Sequence, residues 1–181
     1  MQKVVITGHD LTVDQIIAVC REGAEVVLSD ESREKILASR QVVNELVEER
    51  KVVYGITTGF GKFSDVVISQ DECKLLQKNL IITHAVGAGD PFKEDIARGI
   101  LLLRVNSLSN GFSGICLETV ETMIAMLNKG VTPFIPEKGS LGASGDLAPL
   151  SHMVLPMIGL GMAWYKGELL PGAEAMERAG I

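Results

Sequence analysis

The run Gly139–His152, G-S-L-G-A-S-G-D-L-A-P-L-S-H, gathers the residues of this chain best suited to chemistry. Ala143, Ser144 and Gly145 carry three of the smallest side chains, with Gly142 before them and Asp146 after. Small side chains let one backbone amide come very close to another. The Ser144 hydroxyl can leave as water, and the Gly145 nitrogen is unhindered enough to attack the Ala143 carbonyl. Such a tripeptide can cyclise on itself and turn its own backbone into an electrophile. The same residues also suit a plain loop, with Ser144 or Asp146 capping the helix that follows. A serine-hydrolase elbow matches less well, because G-x-S-x-G needs glycine where Asp146 stands.

Two further residues could act on a substrate. Tyr54 opens the glycine-rich run Y-G-I-T-T-G-F-G-K-F. A tyrosine serves as a base only where positive charge or hydrogen bonds lower its pKa from about 10. On residue type alone Tyr54 reads as a half-buried packing residue. The run is no phosphate cradle: a Walker A loop would need glycine at Ile56 and Ser or Thr at Phe63, and a dinucleotide fingerprint would need glycine at Ser64. His84 lies in N-L-I-I-T-H-A-V-G-A-G and falls four residues after Leu80 and eight after Leu76, on one helix face. It is either a satisfied histidine on an apolar face or an imidazole that exchanges hydrogen bonds with a ligand.

Taken together, G-S-L-G-A-S-G-D-L-A-P-L and Y-G-I-T-T-G-F-G-K-F resemble the two signatures of the aromatic amino acid ammonia-lyases. The first match is about a dozen consecutive residues. The resemblance implies that Ala143, Ser144 and Gly145 condense into 4-methylideneimidazole-5-one (MIO), an electrophile that makes the substrate amine a better leaving group. It implies catalytic roles for Tyr54, as the base, and for Asp146, which orients the backbone around Gly145. No external cofactor and no metal are implied. His84 resembles the histidine-specific branch and is implied to bind substrate, although Thr83 stands where that branch more often has serine. The implied reaction is elimination of ammonia from L-histidine to give trans-urocanate, in histidine degradation. The alternatives are a tyrosine or phenylalanine lyase, an aminomutase, or a non-catalytic fragment. Family enzymes are several times longer and assemble as tetramers. The chain therefore resembles the N-terminal portion of such an enzyme, and little lyase activity is expected of it alone.

The elements that must position these residues can be read in order. Lys3–Thr7 and Glu25–Leu28 are short strands. Thr12, with Gln15 three residues on, forms a capping box for a helix that stops at Gly23. Ser29 or Asp30 starts a charged helix that reaches about Arg50 and packs on that small sheet. Another helix spans Ser69 to about Ala88, and Asp90-Pro91 breaks the chain. A helix from about Lys93 to Asn110 is apolar nearly all round, which predicts deep burial. Arg104 and Asn106 in it are expected to hold buried polar contacts. Ile115–Asn128 repeats Leu117, Val120, Ile124 and Leu127 as a bundle seam, with Met123 and Met126 as core filler. Leu147–Tyr165 carries no Asp, Glu, Lys or Arg. It is long enough to span a bilayer. Pro156 and two glycines favour a buried helix interrupted at the proline. Lys166-Gly167 is a hairpin turn, and a last helix closes at Gly180.

The fold class follows: mainly α, with a small mixed α/β region over 1–92 carrying Tyr54 and His84, and over 93–181 the start of a long helical bundle of the ammonia-lyase and fumarase-aspartase type. The chain has 181 residues, 46% hydrophobic and only 4% aromatic, which suits helices. A net charge of −6 without a basic cluster argues against nucleic-acid binding. Cys20, Cys73 and Cys116 form neither a zinc set nor a disulfide framework. The N-terminus lacks the apolar core of a signal peptide, so a cytoplasmic protein with no membrane partner is the expectation, and the resemblance implies a homo-oligomer.

Overall fold

The computed structural model describes residues 2–59 and 70–181, with side chains omitted at 70–74. Gly61 to Ser64, the end of the glycine-rich run, lies outside the described residues, as do the expected helix start at Ser69 and the Cys73 side chain. The chain is mainly helical, with three small sheets among the described residues.

Strand β1 (Lys3–Ile6) pairs in parallel with β2 (Glu25–Leu28), Val4 opposite Val26 and Ile6 opposite Leu28. The crossover is α1 (Val13–Arg21), which opens on the expected capping box: Gln15 N donates to Thr12 Oγ1, and Gln15 Oε1 accepts from Thr12 N. Helix α2 (Asp30–Glu48) starts at Ser29, whose hydroxyl accepts from Ser32 N at 3.1 Å. It buries only Ser32 and Ile36. The sheet packs closely against α5 (Leu117–Lys129), where the sequence suggests α2. The reason lies in α5's Asn128, whose amide accepts from Val26 N at 2.8 Å and donates to Val26 O at 2.9 Å. It pairs with β2 as another strand would.

Helix α3 (Gln70–His84) gives way to β3 (Ala88–Pro91), which pairs antiparallel with β5 (Pro136–Lys138). The dipeptide Asp90-Pro91 is therefore part of a strand rather than a break, and Pro91 closes it. Helix α4 (Glu94–Leu108) buries Ala97, Leu101, Leu102, Val105 and Leu108. It is not buried all round: Ile96 is 46% exposed and Leu103 50%. Its expected polar anchors divide. Asn106 donates to Gly8 O at 3.3 Å, and a half-buried guanidinium is that of Arg98, which donates to Val19 O and Leu127 O. Those two carbonyls lie in the last turns of α1 and α5, where helices leave acceptors unsatisfied. Burial lowers the Arg98 pKa.

Helix α5 carries the expected seam, with Val120, Ile124 and Leu127 buried and Met123 and Met126 filling beside them. Gly130 ends it with φ 75°. The apolar stretch from Leu147 is shorter as a helix than expected. Helix α6 (Leu147–Val154) passes into a 3-10 turn (Leu155–Ile158) at Pro156. A hairpin follows, β6 (Met162–Tyr165) and β7 (Glu168–Pro171) about Lys166-Gly167, with β4 (Val131–Pro133) on its other edge. Gly159 and Gly161, both at positive φ, release the chain from helix to strand. Helix α7 (Gly172–Ala179) closes at Gly180. Among the described residues no helix is long and apolar enough to cross a membrane. One apolar cluster runs from Val4 and Val26 through Leu101 and Met126 to Ala163 and Met176.

Candidate active site

The loop between β5 and α6 holds Ala143, Ser144 and Gly145. Its glycines at 139, 142 and 145 all take positive φ, at 132°, 95° and 73°. Gly142, Ala143 and Ser144 form a turn, and Ala143 and Ser144 are exposed. The Ser140 hydroxyl donates to the Gly145 carbonyl in a short bond across the loop. Among the described residues no hydrogen bond engages the Gly145 nitrogen, the atom that cyclisation would use. A Cβ built on Gly145 would lie 3.1 Å from Ser140 Oγ.

Asp146 stands at the N-cap of α6, but its side chain makes no capping bond and its backbone is already helical at φ −107°. The capping role open to it in the sequence is therefore not used. The N-terminus of α6 adds a partial positive charge beside the turn.

Ser144, Gly145 and Asp146 line a cavity of about 360 Å³ with Gly87, Lys138 and His152. His84 ends α3 three residues before Gly87. Its Nδ1 lies 2.7 Å from Leu80 O, so Nδ1 carries the proton and Nε2 keeps a free lone pair. Neither His84 nor Tyr54 lines the cavity. Tyr54 is 62% exposed, on a turn whose Ile56 lines a second, larger groove along α2.

Two threonines hold the Tyr54 turn. Thr57 and Thr58 are 6% and 1% exposed. Thr57 Oγ1 donates to Lys51 O and accepts from Val53 N at 2.9 Å, while Thr58 Oγ1 accepts from Gly55 N at 3.4 Å. The described part of the glycine-rich run is thus a pinned turn with Tyr54 at an exposed position. Sequence reasoning passed over both threonines, and also His152, which accepts from Gly87 N at 2.9 Å. Their signal was hydroxyl and imidazole groups close to the two signatures. Burial lowers the His152 pKa, which favours the neutral ring.

With this geometry in place, similarity to known proteins becomes informative. The family model for aromatic amino acid lyase matches residues 11–181.
The chain belongs to the aromatic amino acid lyase family.
Among curated relatives, histidine ammonia-lyase of Caldanaerobacter subterraneus subsp. tengcongensis is 61% identical over 181 residues, all of this chain and 36% of the relative. The chain thus spans about a third of the length of the curated relatives it matches. Among solved structures, ergothionase of Treponema denticola superposes with a TM-score of 0.94 at 32% identity, covering 99% of this chain and 36% of that one. Histidine ammonia-lyase of Trypanosoma cruzi gives 0.92 at 38% identity, covering 99% of this chain and 35% of that one.

Proposed function

We propose that this chain is the N-terminal part of a cytoplasmic, homotetrameric histidine ammonia-lyase, which eliminates ammonia from L-histidine to leave trans-urocanate. The observation that carries the proposal is the Ala143–Ser144–Gly145 turn with its unbonded Gly145 nitrogen. The 61% identity to a histidine ammonia-lyase supports the substrate.

The turn suits MIO on three counts. The attacking nitrogen is tied to no acceptor, the hydroxyl to be lost is exposed, and the Gly145 carbonyl is already held by Ser140. Once formed from Ala143, Ser144 and Gly145, MIO supplies an electrophilic carbon to the substrate's amine. This chain's own residues supply part of the rest. The region 1–92 supplies Tyr54 and His84, and 93–181 supplies the loop. Tyr54 takes the β-proton onto its phenolic oxygen. His84, with Nδ1 committed to Leu80 O, offers Nε2 to accept the N–H of the substrate imidazole. Asp146, free of capping, orients the backbone about Gly145, and the α6 N-terminus stabilises negative charge developing there.

Intact mass tests the first part. Purified protein lighter by two waters, with the loss mapped to the peptide holding Ala143 to Gly145, supports the prosthetic group. Urocanate formation tests the second: a full-length lyase carrying this segment should use L-histidine far better than L-tyrosine or L-phenylalanine. An unmodified mass in that full-length protein ends the reading.

A further inference from the structure

Gly87 sits in the three-residue link between α3 and β3, and it is gripped from three sides. Its N–H donates to His152 Nε2 at 2.9 Å, across 65 residues of chain. A Cβ at Gly87 would lie 2.9 Å from that same nitrogen and 3.0 Å from Pro136 Cβ. Gly139, which opens the site loop, backs onto it so closely that a Cβ there would lie 2.8 Å from Gly87 Cα. One glycine backbone is thus held between the imidazole of α6, the proline of β5 and the first glycine of the loop. His84 is three residues upstream. The chemistry proposed above makes no use of His152.

We propose that His152 is a positioning residue: by accepting the Gly87 N–H it holds the chain leaving α3, and with it the His84 imidazole, at a set spacing from the Ala143–Gly145 turn. The inference rests on reading His84 and the turn as parts of one lyase site. An Nε2 that accepts requires the proton on Nδ1 and a neutral ring. Protonation would convert the acceptor into a donor facing a donor and release Gly87. The charged groups sharing the His152 cavity are Glu137 and Lys138 of β5 and Asp146 of the loop, and His84 ends α3, which packs on α6.

The amide of Gly87 reads the clamp directly. In the 181-residue chain its nitrogen resonance should step with pH as His152 protonates. Its exchange should quicken by roughly tenfold or more in His152→Phe. In His152→Gln, whose amide oxygen can accept, protection should persist and the pH step should vanish. Equal protection in His152→Phe, or a pH step that survives in His152→Gln, overturns the clamp. Should His152→Phe not fold, the glutamine comparison still decides. In a full-length lyase carrying the segment, His152→Phe should raise KM for L-histidine about tenfold, and His152→Gln should restore it. An unchanged KM overturns the positioning role. Failure of the functional reading looks different: no loss of two waters and no urocanate, whatever Gly87 does.

Discussion

In the proposed cyclisation Ser144 supplies the leaving hydroxyl and Gly145 the attacking nitrogen, and single changes separate them. Ser144→Ala removes the hydroxyl at an exposed position. Intact mass should then show no loss of water, while the unfolding free energy stays within about 0.5 kcal/mol of the parent, as for other exposed sites. Gly145→Ala adds a Cβ at φ 73°, 3.1 Å from Ser140 Oγ. It should cost on the order of 1 kcal/mol in urea unfolding and lower the dehydrated fraction. A dehydrated fraction equal to the parent's would show that the left-handed backbone at this position is irrelevant to ring closure.

At the scale of elements, the Tyr54 turn depends on the buried hydroxyl of Thr57. Thr57→Val keeps the shape but strands Lys51 O and Val53 N, both of which use the hydroxyl. About 1–3 kcal/mol should be lost, with amide exchange quickened locally over 51–58 before anywhere else. The loop after α4 makes a comparable demand on α2. Gly114 lies at φ 65°, and a Cβ there would meet Val43 Cγ2 at 2.3 Å. Its N–H donates to Ser39 Oγ at 2.9 Å. Gly114→Ala should therefore destabilise by more than the roughly 1 kcal/mol of an unhindered glycine replacement, as measured by thermal unfolding.

The whole molecule answers to burial at its centre and to one titrating ring. Leu101, fully buried at 0% exposure, belongs to the cluster that joins the N-terminal sheet to the C-terminal hairpin. Leu101→Ala should cost about 2–5 kcal/mol in a single cooperative transition, because both halves share that cluster. The pH dependence follows from His152, whose pKa is depressed by burial. The unfolded chain binds its proton first as pH falls, so this contribution to stability is complete above the ordinary imidazole value. It is lost as pH drops through the lower, folded one. Urea midpoints compared between the parent and His152→Gln across that window should converge on the acid side. Parallel curves would show that the ring is as solvated as in the unfolded chain.

What the residues determined unaided was local or covalent in origin. The capping box at Thr12, the Lys166-Gly167 hairpin and the α5 seam depend on neighbours within a turn or two, so their spacing is their cause. The proposed cyclisation could be read from sequence for the same reason, since its chemistry would lie in three adjacent residues. Tertiary structure alone decided the rest. Helix α4 keeps one apolar stripe outward because only its other face meets α1 and α5, a matter of packing that periodicity does not carry. Arg98, half-buried, became the cation that spans two helix ends because carbonyls of α1 and α5 face it there. The imidazole of His152 found Gly87 across 65 residues of chain, and no local rule links the two. Hydrogen-bond partners distant in sequence are chosen by where the chain folds back, and that is a property of the packed molecule.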